Sequence, residues 1–223
     1  VFSVLYVLPT SADMGINIGV SGSAGLFAAS ANESFSDTGA ASKASNQNGS
    51  EHGEAAWGSI FLEKTIGSVL VVGIDYVPMA LETEETETSK QDKQQEPGGA
   101  QGDADAITDA VNKLQVDFED LTTLYVAARI GENFYAKAGV MQVDVITNEK
   151  LGTGGSYPNA ELDGTVFGVG YNVTNDNGTF IRFEGNYMAF DAQTVTNTVD
   201  TNKSIKLKNL DGVSGKVSIG KSF

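Results

Sequence analysis

The only histidine of the chain, His52, stands beside Ser50, Glu51 and Glu54, the residue types of a Ser-His-Glu hydrolase. Such a site needs the imidazole held by a third group and aimed at the serine oxygen. Chain neighbours in a Ser/Asn/Gly-rich stretch, 30–54, give no such aim, and an exposed loop histidine is the expectation. A second candidate is acidic: Glu82, Glu84, Glu85 and Glu87, with Asp117, Glu119 and Asp120 further along. Ca²⁺ takes carboxylate oxygens of this kind, but no EF-hand spacing is present, so a solvated, mutually repelling run is expected. Gly19 to Gly25 is no phosphate loop, because the Lys-Ser/Thr that must follow is missing. Without cysteine, neither a thiolate metal site nor a disulfide framework exists. The chain thus offers no catalytic residue, no cofactor-binding residue and no metal site, and a non-enzymatic protein is expected.

The remaining chemistry is charge, and its placement depends on the elements that carry it. The dominant pattern has period 2, the mark of strands with two unlike faces. Ile16, Ile18, Val20, Ala24 and Leu26 alternate with small or polar residues, as do Val213, Val217, Ile219 and Phe223. Eight strands are read at 14–29, 55–65, 69–81, 118–131, 134–146, 163–174, 179–190 and 211–223. The second, fourth and sixth connections (Thr65–Ser68, Glu132–Asn133, Asn175–Gly178) are tight, whereas the others are long and polar. That rhythm puts all long loops at one end, as in membrane-spanning barrels with short periplasmic turns. The expected fold is therefore all-β: a closed, antiparallel, up-and-down transmembrane barrel of eight strands.

Parity then places Glu63, Asp75, Arg129, Lys137, Arg182, Glu184 and Lys216 in the lumen. Charges in so narrow a space must pair, since isolated ones would be driven to neutralise. Two roles fit them: a salt-bridged structural plug, or a charged constriction that gates ions. Gly and Ser at Gly19, Ser21, Gly73, Gly139, Gly168, Gly170 and Gly220 share that face, leaving slack and relieving curvature. Trp57 and Tyr125 fall inside by parity, while Tyr76, Tyr171 and Tyr187 are candidates for an interfacial girdle.

Composition narrows the partners. The 14 basic and 29 acidic residues give a net charge of −15, which excludes nucleic acid, since phosphate binding requires a basic face. No apolar run approaches the roughly 20 residues of a spanning helix. Val1 to Leu8 followed by Pro9, Thr10, Ser11 and Ala12 reads as the back half of a signal peptide cleaved after Ala12. The barrel domain then spans 13–223. Within it, 82–117 is expected to be a long acidic extracellular loop, and Ala104, Ile107, Val111 and Leu114 are spaced for a short helix.

The terminal Phe223, with Val217 and Ile219 at alternate positions before it, resembles the signal by which outer-membrane barrels are recognised for insertion. With the loop rhythm, the chain is similar to small OmpA/OmpX-like barrels. Segments such as IGSVLVVGIDYVPMALE and FIRFEGNYMAF resemble barrel proteins of marine alphaproteobacteria. The resemblance implies integral residence in the bacterial outer membrane, contact with its lipid and lipopolysaccharide, and handling by the barrel-assembly machinery. It implies no cofactor. The sequence as given stops at the last strand, so a bare barrel without a peptidoglycan-binding domain is expected. Its role would be structural, shielding or adhesive, with phage or a surface ligand meeting the loops. The alternative is a narrow porin-like channel, with a lipid-modifying enzyme third.

Overall fold

The computed structural model describes residues 15–35, 47–93, 107–152, 155–199, 201 and 203–223. The segment read as a signal-peptide remnant, 1–12, lies outside them. Among the described residues eleven strands follow in order: β1 Ile16–Phe35, β2 Gln47–Ile66, β3 Leu70–Tyr76, β4 Leu81–Glu82, β5 Thr86–Lys93, β6 Ile107–Ile130, β7 Phe134–Lys150, β8 Ala160–Thr174, β9 Thr179–Phe190, β10 Gln193–Thr196 and β11 Lys203–Ser222. Eight of them close a hydrogen-bonded ring, β1-β2-β3-β6-β7-β8-β9-β11 and back to β1. The short β4 and β5 pair with β6, and β10 pairs with β11. All pairings are antiparallel. The eight-stranded barrel expected from the loop rhythm is the observed fold.

The three tight turns carry the residues such turns need. Gly67, Gly131 and Gly178 have φ of 64°, 69° and 81°, open to glycine at no steric cost. In the Asn175–Gly178 turn, the Thr179 amide donates to the Asn175 and Asn177 side-chain oxygens, each at 2.9 Å.

The barrel is inside-out relative to a water-soluble protein. Ile18, Val20, Leu62, Val126, Phe134, Val169, Phe183 and Ile219 are among many large apolar side chains standing 40% or more exposed, while Glu63, Asp75, Lys137 and Glu184 are buried. Exposed apolar side chains on this scale need a nonaqueous solvent, and lipid supplies it. Phe134 and Tyr171 meet edge to face at 4.9 Å near the tight-turn end, giving a short stretch of aromatic girdle.

Strands run well past the expected boundaries. β1, β2 and β11 have 20 residues and β6 has 24. At about 3.3 Å per residue and a tilt near 40°, 20 residues rise roughly 50 Å, against about 30 Å of hydrocarbon. Much of the wall therefore stands outside the bilayer. Ser30–Glu33 and Gln47–Glu54, expected as loop, lie in the ladder between β1 and β2, and Ser34 and Phe35 pair with β11. The helix expected over Ala104–Leu114 is also corrected. Ile107, Val111 and Leu114 lie in β6, where Leu114 pairs with Thr86 and Val111 with Ser89; Ala104 lies outside the described residues. A cross-strand partner outweighed weak helical spacing in a segment rich in β-branched residues. Because β5 sits outside the ring, deleting residues 86–110 should leave a barrel that still migrates differently before and after boiling.

The interior has two levels. The outer one is apolar, with Trp57, Val77, Met141, Val166 and Met188 packed together and Val143, Leu162 and Leu210 above them. The level nearer the tight turns is charged.

Candidate functional site in the barrel lumen

Three ion pairs fill the charged level. Arg182 on β9 forks onto Glu63 of β2, with Nη1 to Oε1 at 2.6 Å and Nη2 to Oε2 at 3.1 Å. The same carboxylate accepts from Asn17 Nδ2 at 3.0 Å and from the Tyr125 hydroxyl at 2.7 Å. Lys137 of β7 pairs with Glu184 of β9, which also accepts from the Tyr135 hydroxyl at 2.6 Å. Lys216 of β11 pairs with Asp75 of β3. Six of the seven parity-placed charges are thus brought together, and their sum is zero. Arg129 is the exception. It keeps the inward parity but stands exposed at the tight-turn rim, lining a pocket of about 70 Å³ with Glu63, Tyr135 and Arg182.

Aromatic rings complete the closure. The Arg182 guanidinium lies 5.5 Å from the Phe61 ring centroid, 5.1 Å from Tyr135 and 5.0 Å from Phe180. Lys137 stands 5.1 Å from the centre of Tyr125. Each ring lies over a glycine directly across the ladder: Phe61 over Gly19, Tyr125 over Gly73, Tyr135 over Gly170 and Phe180 over Gly220. A Cβ at any of these glycines would overlap its ring. The slack expected from the inner glycines is therefore occupied, and those glycines are recesses for aromatic side chains.

Chemically, this level can hold charge rigidly. A guanidinium bound bidentately and enclosed by rings has little freedom to leave its carboxylate. Parity located the acids and bases, but missed Asn17 and Tyr135 as hydrogen-bond donors. Their signal was present in the parity: both are polar residues on the inward face, Asn17 directly across the ladder from Glu63 and Tyr135 across from Gly170.

The other candidates are not assembled. Ser50, His52 and Glu54 lie exposed on one face of β2, and among the described residues no hydrogen bond joins them. Asp117 accepts from Asn148 Nδ2 at 2.6 Å, and Asp120 accepts from the Tyr76 hydroxyl. Lys113 bridges Glu85 at 2.9 Å and Glu87 at 3.2 Å. Those bonds to Glu85 and Glu87 hold its ammonium protonated above the usual lysine range. Among the described residues, no group of three or more His, Asp or Glu is arranged to hold a metal ion.

The last strand presents Val213, Val217 and Ile219 to lipid, each more than 50% exposed. Phe223 closes the ring: its amide donates to the Ile16 carbonyl at 2.8 Å, and its carbonyl accepts from the Ile16 amide at 3.2 Å. The ring, its lipid-facing belt and the short-turn rhythm make this an integral β-barrel of the bacterial outer-membrane type.

No protein-family model matches the sequence, and no curated protein matches it. Solved structures do. The outer membrane protein OprG of Pseudomonas aeruginosa is similar over 94% of this chain and 96% of its own, at 10% identity and a TM-score of 0.47. The outer membrane protease OmpT of Escherichia coli is similar over 93% and 96%, at 8% identity and a TM-score of 0.46. Ail, the attachment invasion locus protein of Yersinia pestis, is similar over 92% and 99%, at 10% identity and a TM-score of 0.35.

Proposed function

We propose that this protein is a non-enzymatic, non-conducting outer-membrane barrel that presents an acidic strand surface outside the bilayer, in a shielding or adhesive role. The observation that carries the reading is the closed lumen: three neutralised ion pairs among four inward rings, in a barrel of a size that side chains fill. The strands that leave the membrane, with the β4–β5 connection, carry Glu51, Glu54, Glu82, Glu84, Glu85 and Glu87, all exposed. With the lumen neutral, the net charge of −15 belongs to the rest of the chain. Lipid contacts the belt, and the assembly machinery reads the last strand through Val217, Ile219 and Phe223.

Planar-bilayer recording of the refolded protein tests the reading. The expected trace shows no discrete steps at any applied voltage. Reproducible unitary conductance would replace presentation with a narrow solute channel, the lumen charges then acting as its gate.

A further inference from the structure

The ring is complete only in its lower part. The β2–β3 ladder runs from Ile66–Leu70 to Ile60–Tyr76 and ends there. From Ser59 outward, β2 pairs with β1 alone, and β4 and β5 pair with β6 alone among the described residues. Two strand edges, residues 47–59 and 81–93, are therefore left unpaired on either side of a seam, with β4 the nearest element across it.

The residues themselves write this seam. Carrying the Ile60–Tyr76 register on residue for residue sets Gly58 opposite Pro78, which has no N–H to donate to a ladder. The same register sets Glu54 opposite Glu82, and like charges directly opposite oppose pairing. Meanwhile Val77 turns inward and its amide donates to Leu121 at 3.0 Å, while the Thr83 amide donates to Val116 at 2.9 Å. The bank is thus tied to β6 and away from β2.

Both banks are acidic. Glu51 and Glu54 stand exposed on one, Glu82, Glu84, Glu85 and Glu87 on the other. Lys113 engages Glu85 and Glu87; Glu51, Glu54, Glu82 and Glu84 make no ion pair among the described residues. Unpaired edges are ordinarily blunted, because they invite another strand. Here the blunting is anionic, and it excludes some strands while favouring others. A second copy of this chain would bring its own carboxylates to the seam, and lipid phosphate would be repelled by them.

We propose that the seam docks an extended, cationic polypeptide segment, which adds as a strand to the open edge of β2 while its Lys or Arg side chains meet the carboxylates on both banks. The inference rests on the surface-presentation reading and gives it a partner chemistry.

The test uses the full chain refolded in detergent and a fluorescent peptide alternating Lys and Val, followed by anisotropy. Saturable binding that weakens as salt rises is expected. Binding should fall by about tenfold or more when every second backbone nitrogen of the peptide is methylated in one of the two phases, the one facing β2, or when Glu replaces Lys. A Glu54→Gln/Glu82→Gln/Glu84→Gln protein that keeps its heat-dependent mobility should lose a similar factor. Equal binding of a methylated peptide in both phases would overturn strand addition, and undiminished binding by the triple variant would overturn the seam as its place. Absence of saturable binding would sink the proposal outright. A barrel that neither conducts nor binds the peptide defeats this proposal and leaves surface presentation standing, whereas a conducting barrel defeats that reading itself.

Discussion

Arg182→Met is expected to destabilise the barrel by roughly 3–5 kcal/mol, because it strands a buried carboxylate. Glu63 would keep Asn17 and Tyr125 as donors but lose both guanidinium bonds, in a lumen where its side chain is almost wholly removed from solvent. Glu63→Gln should cost a comparable amount, since it leaves the guanidinium enclosed by Phe61, Tyr135 and Phe180 without a counter-charge. The two losses should not add. With both groups replaced, no uncompensated charge remains, and the double variant should be more stable than either single one. Urea titration of folding into phospholipid vesicles, read as a double-mutant cycle, measures this coupling. Additive costs would show that the pair is not a unit and that the lumen is wetter than its geometry implies.

The same pair shows what could be read from the chain and what could not. Parity decides the face of a strand, and face is all that was needed to place Glu63, Asp75, Lys137, Arg182, Glu184 and Lys216 in the lumen. Parity says nothing about height, so Arg129, correct in face, was grouped with charges that lie above it. Nor does it say which residues meet across the barrel, because strand tilt brings together positions far apart in sequence. Glu63 and Arg182 are 119 residues apart. Strand ends were illegible for a different reason. Inside the bilayer, lipid and lumen impose opposite polarities on alternate residues. Beyond it, both faces tolerate polar side chains, and stretches such as QNGSEHGE and TETSKQDK lose the alternation while keeping their ladders. The helix read over 104–114 arose in that zone, where periodicity no longer reports structure.

Gly170→Ala tests the packing of rings into glycine recesses. A Cβ at this position would overlap Cζ and the hydroxyl oxygen of Tyr135, which faces it across the β7–β8 ladder. The ring cannot swing aside freely, since its hydroxyl donates to Glu184 and its face lies against Arg182. Overpacking costs about 1–3 kcal/mol, and a buried carboxylate losing a donor costs a further 1–3 kcal/mol. A total of roughly 2–6 kcal/mol is therefore expected. Gly185→Ala supplies the contrast on a neighbouring strand. Gly185 faces outward with nothing within 4 Å of an added Cβ, so its change should fall within about 0.5 kcal/mol of zero. The pair of variants separates two meanings of a glycine in a barrel strand. If Gly170 were there to ease curvature, both substitutions would cost alike; if it is a recess, only the inward one will be felt. Equal, small effects in the urea titration would return the inner glycines to a curvature role and reopen the lumen as a space with room to conduct.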